Sequence, residues 1–197
     1  MLLLQGEPAS VAVWARRGLL PVDILPLDGW TAVLPAGPSL AMPPYDDPLK
    51  TLAGRPVASR LRSAIGVFAV DGNVMISAHR SGWRAVQSWF VWSPGDGLVQ
   101  PERFRAGTPA DLTAAAGIRD KATRREVRNI LANGGGDASG VIGKMLAVLS
   151  LPGFDLLDGE QNPPAGSTRV VPDEEHVARF EKTINDEDRH RAELEED

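Results

Sequence analysis

IGVFAVDGNVMISAHRSGWRAVQSWFVWS, residues 65–93, is the stretch that decides the fold class. Two apolar runs, 65–70 and 74–80, flank Asp71-Gly72, a dipeptide suited to the left-handed turn of a tight β-hairpin. In the second run Val74, Ile76 and Ala78 fall on one face, and Met75, Ser77 and His79 on the other. That alternation is the period of a strand. Ser81-Gly82 can turn the chain into a third run, 84–93, closed by Pro94-Gly95-Asp96-Gly97. The end of that run is apolar on both faces, with Trp89 and Val91 on one and Phe90 and Trp92 on the other. Such a strand is covered on both sides, or it shows an aromatic face to a partner.

Working upstream, residues 10–93 read as mostly β. Residues 10–16 suggest a short apolar strand. Residues 21–27 suggest an edge strand, since Pro21 and Pro26 bracket it and proline cannot donate to a ladder. Asp28-Gly29 turns the chain into a strand over 30–34. Prolines 35, 38, 43, 44 and 48 make the next stretch a loop. Asp47 then caps a helix that starts at Pro48 and runs to about Ser63, broken into two pieces by Gly54 and Pro56.

Downstream the period changes. Thr108-Pro109-Ala110-Asp111 is a helix start, with a cap, a proline and an acid in order. Three helices are expected: one to Ala116, one from Lys121 to Ala132, and one from the Asp137 cap to Leu151. The third is apolar around most of its circumference (Val141, Ile142, Met145, Leu146, Val148, Leu149, Leu151), so it is expected to be buried against the sheet. Residues 152–172 read as a linker.

Charge divides the chain. Residues 160–197 carry 12 acidic and 5 basic side chains, while residues 1–159 carry 14 acidic and 16 basic. A near-neutral body therefore bears an acidic appendage. Over 173–197 this reads as an acidic amphipathic helix or a disordered tail, with the thin apolar stripe Val177, Phe180 and Ile184. A lone helix of that length is marginal in water, so it orders where Phe180 finds a groove.

Composition bounds the function. At 197 residues with 43% hydrophobic side chains, the chain fits one domain with an extension. It has no cysteine, which removes disulfides, thiolate chemistry and sulfur-ligated metals. Met1–Leu4 is too short for a signal sequence, and no apolar run approaches the ~20 residues of a bilayer span. Arginine outnumbers lysine 17 to 4, a composition expected of a GC-rich bacterial genome. A cytoplasmic location and no membrane contact are expected.

Four constellations carry residues of chemical interest. Lys121, Arg124, Arg125 and Arg128 share one side of the second helix, with Arg119 just before it; such a face is either plainly solvated or binds phosphates. Residues 111–122 faintly resemble a helix-turn-helix with Gly117 in the turn, although Arg125 stands where the second helix needs an inward apolar residue. Residues 138–145, ASGVIGKM, resemble a phosphate loop whose first glycine is Ala138 and whose magnesium-binding hydroxyl is Met145, so both functional positions fail. Gly134–Gly136 reads as an inter-helix hinge. The fourth constellation is aromatic: Trp14, Trp30, Trp83, Trp89 and Trp92 all lie in the β half.

Catalysis needs a tuned acid, base or nucleophile. His79 is the only histidine of the body, and nothing in the sequence places a nucleophile or a metal-ligand spacing beside it. No enzyme activity, cofactor or metal is expected. The fold expectation is α+β: an antiparallel sheet of about five strands with one packed helix, then a small helical portion, then a C-terminal acidic helix. The body is placed at 1–151, β-rich over 10–93 and helical over 106–151. The functional expectation is a non-catalytic bacterial protein-binding module, of adaptor, chaperone-like or oligomeric accessory type. Its contact residues would be Trp83, Trp89, Trp92, Val177, Phe180 and Ile184, engaging a protein partner or a second copy. The alternative is a nucleic-acid-binding regulator that uses Arg119, Lys121, Arg124, Arg125 and Arg128 and is shielded by the acidic tail.

Overall fold

A computed structural model of the chain describes residues 1–82, 85–101, 104–157 and 163–195. Its elements in chain order are β1 (Leu2–Leu4), α1 (Pro8–Arg16), β2 (Val22–Leu27), β3 (Trp30–Pro35), α2 (Pro48–Gly54), β4 (Ala64–Val70), β5 (Asn73–His79), β6 (Ser88–Ser93) and β7 (Gly97–Val99). Then follow α3 (Pro109–Ala115), α4 (Lys121–Ala132), α5 (Ala138–Val148), β8 (Thr168–Val170) and α6 (Glu174–Glu195). The class is α+β, with an antiparallel sheet as expected. The sheet has eight strands rather than about five, in the order β7-β6-β5-β4-β1-β3-β2-β8.

The hairpin reading holds. Val67 pairs with Ile76 and Val70 with Asn73. Asp71 and Gly72 both adopt positive φ, 51° and 77°, the geometry of a turn whose twist matches its strands. Val74, Ile76 and Ala78 face one core together with Phe90 and Trp92. On the other side Phe68 and Trp89 join a second core. The two-faced aromatic strand thus finds both of its layers within the chain: α3, α4 and α5 cover one face, α1 and α2 the other.

The extra strands are short. β1 lies at the centre, pairing with β3 on one side and β4 on the other. Leu3 enters the first core while Leu2 and Leu4 enter the second, which is why three consecutive leucines suit a strand covered on both faces. β7 and β8 are three-residue edges. β8 lies inside the segment expected to be a linker and pairs Asp23 with Arg169. Arg169 grips the buried Asp23 carboxylate with two bonds, 2.7 and 2.8 Å. β2 is therefore not an edge over its first half. β8 reaches only Val22–Ile24, and Pro26 stands beyond it, where no donor is needed.

Residues 10–16, expected as a strand, belong to α1. Pro8 sits at the helix start, and Val11, Trp14 and Ala15 are buried at helical spacing. The alternating valines 11 and 13 mimicked a strand period, but Val13 is exposed. The helix expected over 48–63 does come in two pieces: α2 ends at Gly54, and a single 3₁₀ turn follows at Ser59–Leu61. Asp47 caps α2 by accepting from the Lys50 amide at 2.9 Å. Thr108 and Asp111 form a reciprocal capping box on α3. α4 begins and ends at Lys121 and Ala132 as expected, and α5 stops at Val148, one turn short of Leu151.

The C-terminal segment is a 22-residue helix, and its start is held by the body. The Asp173 amide donates to the Arg16 carbonyl at the end of α1, 2.8 Å away. Val177 is buried. Among the described residues, no helix is long and apolar enough to cross a membrane.

Candidate functional site

The second face of the sheet is where cover runs short. α1 ends at Arg16 and α2 spans only seven residues. Pro56 holds Arg55 in extended backbone (φ −72°, ψ 126°). From there the Arg55 guanidinium reaches back to the end of α1. It stacks 3.7 Å from the Trp14 ring centroid and donates to the Trp14 and Ala15 carbonyls. A cation at a helix C-terminus complements the helix dipole. Trp14 completes the clamp by donating Nε1–H to the Pro56 carbonyl at 3.0 Å. Gly18 leaves room for this clamp, because a Cβ there would meet the Arg55 guanidinium as it is now placed. Burial pulls Arg55 down to about 10, and among the described residues no carboxylate pairs with it.

Between this clamp, the proline-rich loop and α6 lies a cavity of about 470 Å³. Leu19, Pro44 and Pro56 contribute apolar walls, and Tyr45 and Phe180 meet over it edge to face, centroids 5.0 Å apart. Arg17, Lys50, Arg55 and His176 line it as well, and among the described residues no acidic side chain does. Thr51 fixes the loop by donating its hydroxyl to the Tyr45 carbonyl at 2.8 Å. Beside the cavity the loop leaves Leu40 and Met42 exposed, Met42 to 69%.

Of the tail residues expected to seek a groove, Phe180 lines this cavity. Val177 is buried, Phe180 is half-buried against Tyr45, and Ile184 is half-buried one turn further on. The aromatic strand offers no such surface. Trp92 is fully buried and donates Nε1–H to the Asn133 carbonyl at 2.8 Å. Trp89 is buried beneath Phe104, centroids 5.0 Å apart. The contact face expected from Trp89 and Trp92 is therefore taken up by the chain's own packing. Trp83 lies outside the described residues. Sequence reading missed Tyr45, Arg17 and Arg55; the dense prolines around Tyr45 were the one local signal that its loop holds a fixed shape.

The basic helix is as the sequence implied. Val127 and Leu131 are buried, while Arg119, Lys121, Arg125 and Arg128 are exposed. Arg124 is half-buried, and its Nε has no hydrogen-bond partner. Among the described residues, none of these five cations forms an ion pair. α4 covers the first face of the sheet, whereas α6 begins at α1, on the second face. The root of the acidic tail, at Asp173, accordingly sits on the layer opposite the basic helix.

No family model, curated protein or solved structure matches this chain.

The remaining motifs are structural. Residues 138–145 are helix from the start, and the Asp137 carboxylate already accepts from the Gly140 amide at 2.7 Å, where a phosphate would have to sit. Gly134 packs backbone to backbone, its position such that a Cβ would lie 2.5 Å from the Gly95 carbonyl oxygen. His79 is buried, with Nε2 2.9 Å from the Ala85 carbonyl and Nδ1 without a partner. Burial lowers its pKa and the charge of Arg62 adds to that, while the bond to Ala85 opposes both. His79 lines none of the five cavities described. Among the described residues, no three His, Asp or Glu side chains converge where they could hold a metal.

Proposed function

We propose that the chain is a non-catalytic protein-binding module of a bacterial cytosol, and that α6 is its contact element. The observation that carries this is how that helix is rooted. α6 is about 33 Å long at 1.5 Å per residue, and the Asp173 amide just before it and the Phe180 ring in its second turn seat its start on the body. Residues 181–195 carry six acidic and three basic side chains. Beside the root of this arm, Leu40, Met42 and Tyr45 present an apolar rim. A charged arm with an apolar rim at its base suits a protein surface bearing an apolar patch ringed by cations.

The test is site-specific photocrosslinking in the host cell, with the probe at Glu187, at Met42 and, as control, at Asp96 in the β6–β7 turn. A discrete adduct from Glu187 and Met42 but not from Asp96 supports the module, and its mass tells a second copy from another protein. No adduct, together with an unchanged solution mass when residues 181–197 are deleted, overturns it.

A second reading rests on α4. Exposed cations on one helix face, without ion pairs among the described residues, suit nucleic-acid phosphates. Its measurement is duplex DNA binding at 50 and 200 mM salt by the parent and by Arg125→Glu/Arg128→Glu. This reading requires affinity to fall steeply with salt, and the double variant to flatten that slope.

A further inference from the structure

We propose that the cavity beneath α6 is a binding site for a small organic anion with a planar apolar body and a single carboxylate or phosphate group. Its volume of about 470 Å³ falls within the ~300–1,000 Å³ range of small-molecule sites. Its lining combines two chemistries. Tyr45 and Phe180 stand edge to face, which leaves aromatic surface for a further ring. The cations Arg17, Lys50 and Arg55 line the cavity too, with His176 alongside.

The charge in this site is unbalanced. Among the described residues, no acidic side chain lines the cavity. Lys50 leans on Asp47 at 3.5 Å, but among the described residues Arg17 has no ion pair. Arg55 is engaged by two carbonyls and a ring, neutral groups that orient its guanidinium without cancelling its charge. Arg55, half-buried and without a carboxylate partner among the described residues, is stabilised by an incoming anion; Arg17 and Lys50 add positive charge from exposed positions, and the planar guanidinium fork matches a carboxylate or phosphate. An uncharged ligand would leave that imbalance in place. The larger recess of about 660 Å³ at α5 lacks this character: Asp137 lines it and Lys144 is its only cation.

Isothermal titration calorimetry on the full chain tests the site with three probes of one shape: 1-naphthyl phosphate, 1-naphthoate and uncharged 1-naphthol. At least one anion is expected to bind with 1:1 stoichiometry and at least tenfold tighter than 1-naphthol, roughly the effect of one charge-assisted contact. The tighter of the two anions identifies the acid group. Arg17→Gln/Lys50→Gln, both at exposed positions, should erase that preference with the melting temperature unchanged. Phe180→Ala should weaken all three probes together. Equal binding of 1-naphthol and the anions, retention of the preference in the double variant, or no binding of any probe at 1 mM would each overturn the proposal.

Discussion

The two faces of the sheet are covered to different standards. On the first, α3, α4 and α5 form a closed layer that seals Phe90 and Trp92 completely. On the second, α1 and the short α2 leave a gap, and the chain returns 120 residues after α2 to lean Phe180 into it. Both faces draw on the same alternating strands, so the contrast comes from the helices. Three consecutive helices with good caps tile one side, whereas Gly54 and Pro56 cut the cover of the other short. A closed layer serves stability. An interrupted one leaves a cavity whose walls are free to carry charge and whose lid belongs to an arm.

The contrast breaks most readily at Trp92. Trp92→Ala removes a fully buried indole and a hydrogen bond from the closed face, and should cost about 3–5 kcal/mol in urea unfolding. A loss below 1 kcal/mol would mean that the layer is not closed. Next is Arg169→Ala, which strands the buried Asp23 carboxylate beneath β8. A loss of about 2–3 kcal/mol is expected, with faster hydrogen exchange at the Asp173 amide, because β8 leads directly into α6. Asp47→Ala removes the cap of α2 and should cost about 1 kcal/mol, visible as a lower midpoint with an unchanged denaturant slope.

Phe180→Ala should cost less than the equivalent truncation in the core, about 1 kcal/mol for a half-buried ring. A loss as large as that of Trp92→Ala would show that α6 is part of the core rather than an arm leaning on it. The smallest expected effect is that of protonating His79. His79 is held below its ordinary pKa by burial, so the unfolded chain binds the proton more readily than the folded one. The contribution of His79 to stability should therefore fall as pH drops below about 6.5 toward the lower folded value, on top of the loss from the buried Met1 amine, whose pKa burial lowers to about 5. His79→Gln should reduce that slope in unfolding curves recorded between pH 7.5 and 5.

What could be read from residues alone followed local physics. Asp71-Gly72, the Asp47 and Asp137 caps, and the stop at Asn133 each act within a few neighbours, and their elements fell where expected. Three-residue strands carry no period to detect, so β1, β7 and β8 were invisible; β8 is recognisable only once Arg169 is seen across from Asp23. α1 was misread because Val11 and Val13 satisfy a period of two as well as Val11, Trp14 and Ala15 satisfy a helical one. The cavity was beyond reach for another reason. Its walls come from residues 17–19, 44–56 and 176–180, which only the return of the chain brings together.

The position of β1 bears on how the sheet assembles. Hairpins β2–β3 and β4–β5 close from neighbouring residues, yet the two halves of the sheet are joined only through residues 2–4, a seam that bridges positions 31–33 and 64–66. Closing such distant pairings is entropically later than closing a hairpin. Until the seam is stitched, β3 and β4 each expose a ladder of unsatisfied amides and carbonyls, the surface on which strands of other chains accrete. Leu2, Leu3 and Leu4 therefore guard two strand edges at once, and a substitution that weakens their pairing uncovers both.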